Sequence, residues 1–290
     1  MKKSIRHAML AVGIIAGSLS AGAHAAFPAD KPITMVVPFA AGGPTDKVAR
    51  EIALVMGKTL KQTIVIDNSP GAGGTIAAKK VMNAPKDGYT VLIHHIGMST
   101  APGLYKNLGY DPMTDFEHLG MVADVPMVMV ANKDLPAKNL TELLAYIKAN
   151  STKVNYANAG IGSASHLCGL LFMSAIQIDM TTVPYKGTAP ALTDLLGGQV
   201  QLMCDQTTNL SGQLKAGAVK SYGATTMQRI AAFKDIPTMH EQGLKNFEVN
   251  VWHGVYAPKG TPKDATDKLS AALQALSLIH ISEPTRQAEI

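Results

Sequence analysis

The stretch that decides the fold is ITMVVPFAAGGPTD, residues 33–46, in which an apolar run passes into a glycine-rich loop. A helical pattern follows over residues 45–59, so the segment predicts a strand, a loop and a helix of an α/β sheet. Ligands of open α/β sheets bind at the carboxyl ends of the strands, where this loop lies. Glycines let the backbone approach a ligand, and unpaired N–H groups at a helix start favour an anion. The loop is therefore a candidate anion site, although a tight turn without a ligand would have the same pattern.

Strand and helix patterns alternate along the rest of the chain in two blocks. Further strands are predicted over residues 63–66, 89–93, 126–131, 154–157, 181–184, 200–204 and 221–225. This rhythm predicts two units, each a mostly parallel sheet flanked by helices. We expect the chain to enter the second unit near residues 122–126 and to return near 221–227. Two crossings make a hinge, and the cleft between the units is then the expected ligand site.

A second glycine-rich loop, GIGS at residues 160–163, lies between a predicted strand and a predicted helix of the second unit. Two such loops facing each other across a cleft would hold one carboxylate from both sides. The affinity would then depend on closure of the cleft, because each unit supplies only part of the donors. Here too, a tight turn is the alternative interpretation.

Composition excludes several classes of function. The formal net charge is +5 and aromatic residues make up 5%, without the basic runs that nucleic-acid-binding proteins carry. The triplet GKT at residues 57–59 lacks the upstream glycine of a phosphate-binding loop. His94 and His95 point to opposite faces of a predicted strand, which favours one cleft contact and one packed residue over a metal pair. We therefore expect no nucleic acid, no cofactor and no metal.

The segment GMSTA, residues 97–101, resembles the nucleophile elbow of Ser hydrolases, with Ala101 where glycine is usual. A hydrolase would also need an acid and a late histidine, for which Asp205 and His253 are available. Nothing in the sequence brings these two side chains to Ser99. We expect a protein that is not an enzyme, and a secreted Ser hydrolase is the alternative outside the binding class.

Both ends of the chain carry segments that we set apart from the fold. Residues 1–25 combine a basic start, an apolar stretch and the cleavage pattern AHA at 23–25, which predicts a signal peptide and export to the periplasm. The apolar stretch is too short for a membrane span, which needs about 20 apolar residues. Residues 276–290 resemble a translated sequencing adapter, so we expect the natural sequence to stop near Ala275.

The chain has two cysteines, Cys168 and Cys204. Export would place them in an oxidising compartment, where a pair of cysteines often forms a disulfide. Their spacing fits no zinc pattern. Geometry decides whether they bond, so a disulfide and two separate buried thiols both remain open.

Five blocks of sequence, taken together, resemble one known family. They are PFAAGGPTD at 38–46 with Ala49 and Arg50, NSPGAGG at 68–74, DGYTVL at 87–92, GSASHL at 162–167, and VPYKG at 183–187 with PA at 190–191 and DLLGG at 194–198. In this order they resemble the Bug-type extracytoplasmic solute receptors of tripartite tricarboxylate transporters. The resemblance extends over residues 27–275.

The resemblance implies a two-lobed periplasmic-binding-protein fold of type II, with a hinge of two crossing segments. Residues 26–124 and 225–275 would form the first lobe, and residues 125–224 the second. Members of the family continue past the position of Ala275 with a helix that packs on the first lobe. We therefore expect the C-terminal part of that lobe to be truncated here.

The resemblance also implies a function. The protein would capture a small carboxylate in the cleft, either a di- or tricarboxylate, an amino acid or an aromatic acid, and deliver it to the membrane permease subunits of the transporter. We expect a monomer that does not insert into the membrane. A receptor that signals to a sensor partner is the alternative within the binding class.

The resemblance assigns the carboxylate to backbone groups of the two glycine-rich loops, with Thr45, Ser163 and Asp205 as side-chain contributors. Residues 94–98 lie where family members vary with their ligand. The expected ligand-binding residues are Phe39, Ala40, Ala41, Gly42, Gly43, Thr45, Asp46, His95, Gly97, Gly160, Ile161, Gly162, Ser163, His166, Tyr185 and Asp205.

Overall fold

The computed structural model describes residues 27–28 and 31–282. The predicted signal peptide and residues 283–290 of the predicted adapter segment lie outside the described residues. In chain order, the strands and helices are β1 (Ile33–Val37), α1 (Pro44–Leu60), β2 (Ile64–Asn68), α2 (Thr75–Met82), β3 (Thr90–His95), α3 (Gly97–Leu104), β4 (Phe116–Asn132), α4 (Leu140–Asn150), β5 (Asn155–Asn158), α5 (Ala164–Ile176), β6 (Thr181–Pro184), α6 (Thr188–Leu196), β7 (Leu202–Gln206), α7 (Thr207–Lys215), β8 (Val219–Ala224), β9 (Asn250–Pro258) and α8 (Lys263–Ser282).

The first lobe is built on the strand order β2-β1-β3-β9-β4. Strand β1 is parallel to β2 and β3, whereas β9 is antiparallel to β3 and to the first part of β4. Met35 packs on one face of β1 with Ile52 of α1 and Leu269 of α8, and Val36 packs on the other face with Ala78 of α2. A strand buried on both faces has a continuous apolar sequence, which is what the run ITMVV contains.

The second lobe has β5 between its parallel neighbours β6 and β7, and the second part of β4 is antiparallel to β7 and β8. Its two cores lie on opposite faces of β7, where Cys204 packs with Phe172 of α5 and Met203 packs with Leu192 of α6. A disulfide joins Cys204 to Cys168 of α5. The structure thus selects the bonded state from the two that the sequence left open.

Strand β4 belongs to both lobes and forms one crossing of the hinge. Its residues up to Pro126 pair with β9, and from Met127 onward they pair with β7 and β8. Thr225 ties the second crossing to the first, because its backbone N–H donates to the Met127 carbonyl at 3.0 Å. Its hydroxyl donates to the Val249 carbonyl at 2.6 Å. The predicted two-lobed α/β fold is confirmed, with sheets that are mixed rather than purely parallel.

The expected boundary at residue 225 assigns the segment between β8 and β9 to the first lobe. Its apolar side chains Met239, Phe247 and Val249 lie in the core of the second lobe. Val251 of β9 still lies in that core, and from His253 onward the strand pairs with β3 of the first lobe. The sequence shows no strand or helix pattern over this segment, so nothing in it indicated which core its side chains enter.

No helix within residues 27–28 and 31–282 has the length and apolar character needed to cross a membrane.

Candidate ligand-binding site

A narrow cavity of about 10 Å³, partly open to solvent, lies between the two lobes. A space of that size holds about one water molecule, so the lobes are closed against each other. A ligand larger than water can enter only after they move apart. The cavity is lined by residues of both lobes, namely Phe39, Pro44, Thr45, His95, Ala159, Ser163, Ala164, Ser165, Thr188, Asp205 and Gln206.

A larger hollow of about 640 Å³ lies on the outside of the first lobe, beside α1 and β2. Its lining includes Arg50, Lys58 and Lys61 but none of the loop residues that face the second lobe. Ligand sites in two-lobed proteins form between rigid bodies that can close. We therefore take the interlobe cavity as the candidate site despite its smaller volume.

The N-terminus of α1 forms the wall contributed by the first lobe. Pro44 occupies the first helical position, and Gly43 caps the helix in an extended conformation without a side-chain hydrogen bond. Proline has no N–H to leave unpaired there, whereas the N–H groups of Thr45 and Asp46 have no intrahelical acceptor. Thr45 is buried and lines the cavity, so this helix end supplies donors and positive potential to the cleft.

Asp46 was expected to contact the ligand, but its carboxylate is turned back into its own lobe. It accepts hydrogen bonds from the Gly42 N–H at 2.9 Å, the Asn68 amide at 2.9 Å and the Arg50 guanidinium at 2.9 Å. Burial alone would raise the pKa of Asp46, but these bonds, led by the one from Arg50, lower it below its usual value. Asp46 therefore holds the shape of the loop and does not line the cavity.

The N-terminus of α5 forms the opposite wall. Ser163 caps this helix, and its hydroxyl accepts from the His166 N–H at 3.2 Å and lies 3.1 Å from the Ser165 hydroxyl. Ser165 in turn accepts from the Ala159 N–H at 2.8 Å, which fixes the preceding loop against the helix. The cavity thus lies between the N-termini of two helices that belong to different lobes.

His95 adds an aromatic wall at the end of β3. Its ring stacks on Phe39 with centroids 4.7 Å apart and an angle of 23° between the ring planes. The Gly97 N–H donates to His95 Nδ1 at 2.9 Å. Burial, with the nearby His94 and His253, lowers the pKa of His95 well below its usual value. His95 is therefore neutral in the closed protein, with its proton on Nε2.

The second lobe contributes polar side chains at the carboxyl end of β7 and the start of α6. Asp205 is buried and accepts from the Asn209 amide at 2.6 Å, and burial raises its pKa to about 6. Gln206 Oε1 is buried and has no hydrogen-bond partner among the described residues, whereas the Thr188 hydroxyl favours the charged form of Asp205 through a hydrogen bond. Buried polar atoms without partners are costly, so a ligand with matching groups would be stabilised at this end of the cavity.

Most of the other residues expected at the site lie outside the cavity lining. Ile161 and Ala40 contact the facing lobe, since the Ile161 carbonyl accepts from the Tyr105 hydroxyl at 2.6 Å and the Ala40 N–H donates to the Lys186 carbonyl at 3.0 Å. The Tyr185 hydroxyl donates to Asp194 within the second lobe at 2.7 Å. The expected residues that do not line the cavity are Ala40, Ala41, Gly42, Gly43, Asp46, Gly97, Gly160, Ile161, Gly162, His166 and Tyr185.

Sequence reasoning missed Pro44, Ala159, Ala164, Ser165, Thr188 and Gln206 as cavity-lining residues. The sequence could have indicated two of these residues as part of the site. Gln206 ends a strand and Thr188 begins a helix after a strand, and both positions lie at the sheet edge where α/β ligands bind.

The cavity lining contains no lysine and no arginine. Lys47 of α1 lies close enough to act electrostatically on Asp205 in the lining, and its Nζ donates to the Thr208 carbonyl at 3.2 Å. Across the described part of the chain, no cluster of three or more His, Cys, Asp or Glu side chains could hold a metal ion. The groups that directly contact an anion in this cavity would therefore be neutral donors and helix N-termini.

The three side chains that a Ser hydrolase would use do not form a relay in the closed protein. Ser99 is exposed on α3. His253 Nε2 lies 3.2 Å from the Thr45 hydroxyl, and Asp205 is bonded to Asn209 in the other lobe. A nucleophile and its base need to be within hydrogen-bond reach, and this geometry does not provide that.

Residues 48–282 match the family model described as the tripartite tricarboxylate transporter family receptor. Among curated relatives, a protein from Agrobacterium vitis is 48% identical over 243 residues, which is 84% of this chain and 70% of the relative. Protein BugT of Bordetella pertussis is 35% identical over 254 residues, covering 87% of this chain and 77% of BugT.

Solved structures agree with this assignment. The periplasmic binding protein BugD superposes with a TM-score of 0.84 at 55% identity, covering 86% of this chain and 83% of BugD. MatC from Rhodopseudomonas palustris with bound malate gives a TM-score of 0.83 at 42% identity, covering 86% and 85%. An R. palustris protein with adipate gives 0.82 at 36% identity, covering 86% and 83%. The chain therefore belongs to the tripartite tricarboxylate transporter receptor family, whose structurally characterised members include periplasmic binding proteins.

Proposed function

We propose that this protein is a periplasmic receptor that binds a small carboxylate in the interlobe cavity and delivers it to the membrane permease of a tripartite tricarboxylate transporter. The observation that carries the proposal is the convergence of two helix N-termini, those of α1 and α5, on one closed cavity that lacks cationic side chains. Backbone N–H groups at helix starts are natural partners for a carboxylate.

Closure is part of this proposed binding mode. Thr45 and the start of α1 belong to the first lobe, and Ser163 and the start of α5 belong to the second. Each lobe supplies only part of the donors, so the carboxylate binds fully only when the lobes meet. The ligand thereby shifts the population toward the closed form, which a permease can distinguish from the open form.

Related receptors guide the choice of ligand. MatC holds malate and the R. palustris relative holds adipate, and both ligands are aliphatic dicarboxylates. The unpaired Gln206 Oε1 at the second-lobe end is an acceptor and would suit a hydroxyl group on such a ligand, as malate carries. We therefore propose dicarboxylates as the preferred ligands, ahead of amino acids and aromatic acids. We also propose that the protein is exported through the predicted signal peptide and that it acts as a monomer.

The test is a thermal-shift and calorimetry screen with malate, adipate, aspartate and nicotinate, alongside malamide as an uncharged control. A ligand at about 100 times its Kd should add about 2.7 kcal/mol to the free energy of unfolding, which the carboxylates but not malamide should achieve. Ser163→Ala should weaken the binding, whereas Ser174→Ala, at an exposed position on the same helix, should not. Binding of malamide as tightly as malate, or of no carboxylate at all, would overturn the proposal.

A further inference from the structure

Lys47 is a cation that links the two lobes. It is the fourth residue of α1 in the first lobe, and its Nζ donates to the Thr208 carbonyl of α7 in the second lobe at 3.2 Å. A lysine ammonium group can only donate, so the direction of this hydrogen bond is fixed. Because the contact joins different lobes, it exists only in the closed form.

The position of Lys47 is electrostatically unusual. Lys47 lies near the N-terminus of α1, and Thr208 is the second residue of α7, so the ammonium group lies beside the first turns of two helices. The helix dipole disfavours a cation at that end of a helix. A negative charge close by would offset this cost, and the second lobe provides one.

That negative charge is the carboxylate of Asp205, which is buried near the end of β7 and lines the cavity. Burial raises the pKa of Asp205 to about 6, against hydrogen bonds led by the one from Asn209 and against the charge of Lys47, which lower it. The buried carboxylate of the first lobe, Asp46, has its cation Arg50 one turn away on the same helix. The cation that acts on Asp205 comes instead from the opposite lobe, so it offsets the Asp205 charge only on closure.

We propose that Lys47 is a positioning residue that ties α1 to α7 on closure and offsets the negative charge of Asp205 beside a bound dicarboxylate. This inference rests on the proposed function, because an anionic ligand and an ionised Asp205 repel each other at close range. Lys47 does not line the cavity, so it acts on the ligand through closure and through Asp205. The closed form thereby gains a favourable charge without a cation among the groups that contact the ligand.

The test is a double-mutant cycle on the full chain, with malate as the probe and calorimetry as the measurement. Lys47→Met keeps an unbranched side chain and should weaken malate binding by about threefold, because a partly exposed charged contact is worth little. In an Asp205→Asn background the same substitution should have a smaller effect, since no carboxylate charge remains to be offset. Lys47→Arg keeps the positive charge and should recover part of the affinity that Lys47→Met loses.

Two controls separate this role from net charge and from packing. Lys58→Met removes an exposed cation farther along α1 and should leave the malate affinity unchanged. The loss caused by Lys47→Met should shrink in about 1 M salt, where the screening length is about 3 Å, whereas a packing defect would persist. An unchanged affinity of Lys47→Met, an equal loss in the Asp205→Asn background or in Lys58→Met, or a loss that salt does not reduce would overturn this inference while leaving the proposed function intact. If the wild-type protein binds no carboxylate of the screen, both fail together.

Discussion

Gly73 of the first lobe lies so close to the carbonyl oxygen of Ile161 in the second that a Cβ atom at position 73 would overlap it. Gly160 approaches from the same side, where its own Cβ would be 3.2 Å from the Gly73 nitrogen. These backbone contacts exist only in the closed form, since they join different lobes. The glycine loop NSPGAGG therefore contributes to closure of the cavity and not to its lining.

Gly73→Ala should impair closure and so weaken carboxylate binding. Overpacking of a tight contact costs about 1–3 kcal/mol, which corresponds to an affinity loss of about 5–150-fold. Small-angle scattering should show that saturating malate no longer compacts the variant, and calorimetry should show the loss of affinity.

The control for this variant must separate steric overlap from backbone strain, because Gly73 has a φ of 60°. Gly217 has a φ of 61°, and a Cβ atom added at that position would meet nothing within 4 Å. Gly217→Ala carries the same strain without the overlap and should bind malate normally. An equal loss of affinity in both variants would refute the closure argument.

Tyr105→Phe should weaken binding without lowering the stability of either lobe. The Tyr105 hydroxyl donates to the Ile161 carbonyl across the lobes at 2.6 Å, so the bond exists only on closure. Its loss should cost about 0.5–1.5 kcal/mol, or about 2–10-fold in affinity. The matched control is Tyr222→Phe, which removes a 2.8 Å bond to the Ala137 carbonyl inside the second lobe. That control should lower the melting temperature and leave the affinity unchanged, and the reverse pattern would contradict us.

The elements that the sequence predicted well have simple local patterns. The helix predicted over residues 45–59 is α1 (Pro44–Leu60), which begins with proline at its first position. Likewise, β1 is buried on both faces and has an uninterrupted apolar run. In both places the local chemistry alone determines the structure.

The elements that the sequence did not predict depend on distant partners. The first part of β4 pairs with β9 through register shifts near Gly120 and Ala123, which break the alternation that marks a strand. Strand β9 itself contains His253 and Gly254, whose places are set by β3 and α1. For the same reason the sequence did not indicate that the Asp46 carboxylate accepts a hydrogen bond from Asn68 in the neighbouring strand.

Reduction of the disulfide should destabilise the second lobe. Cys168 and Cys204 are 36 residues apart in sequence, and closing a loop of that length removes enough entropy from the unfolded chain to stabilise the fold by about 4 kcal/mol. The melting temperature should therefore fall on addition of dithiothreitol. A Cys168→Ala, Cys204→Ala double variant should melt at the lower temperature with or without reductant. Because both cysteines are buried, the decisive comparison is with the double variant, and identical melting of the wild-type protein and that variant would refute the prediction.

Asp205→Asn should stabilise the protein at neutral pH. Burial raises the pKa of Asp205 to about 6 from an ordinary value of 3.8, so the folded state holds its proton more tightly than the unfolded state does. Between these values the folded state carries more protons, and the free energy of unfolding contributed by Asp205 therefore falls as the pH rises. Above pH 6 the penalty is complete and amounts to at most about 3 kcal/mol.

Denaturant unfolding of the wild-type protein and of Asp205→Asn, each at about pH 4 and about pH 7.5, tests this pH dependence. The buried histidines titrate in both proteins, so their contribution cancels when the two free energies of unfolding are subtracted. The variant should be the more stable protein at the higher pH, and the difference should shrink at the lower pH, where the wild-type carboxyl is protonated.

Asp46→Asn is the contrasting case. The pKa of Asp46 is lowered by its bonds to Arg50, Gly42 and Asn68, so that variant should be the less stable protein at the higher pH. If Asp205→Asn were destabilising at about pH 7.5, the charged carboxylate would have to be stabilised by its surroundings in the folded protein. That result would refute the prediction that burial of the Asp205 charge lowers the free energy of unfolding.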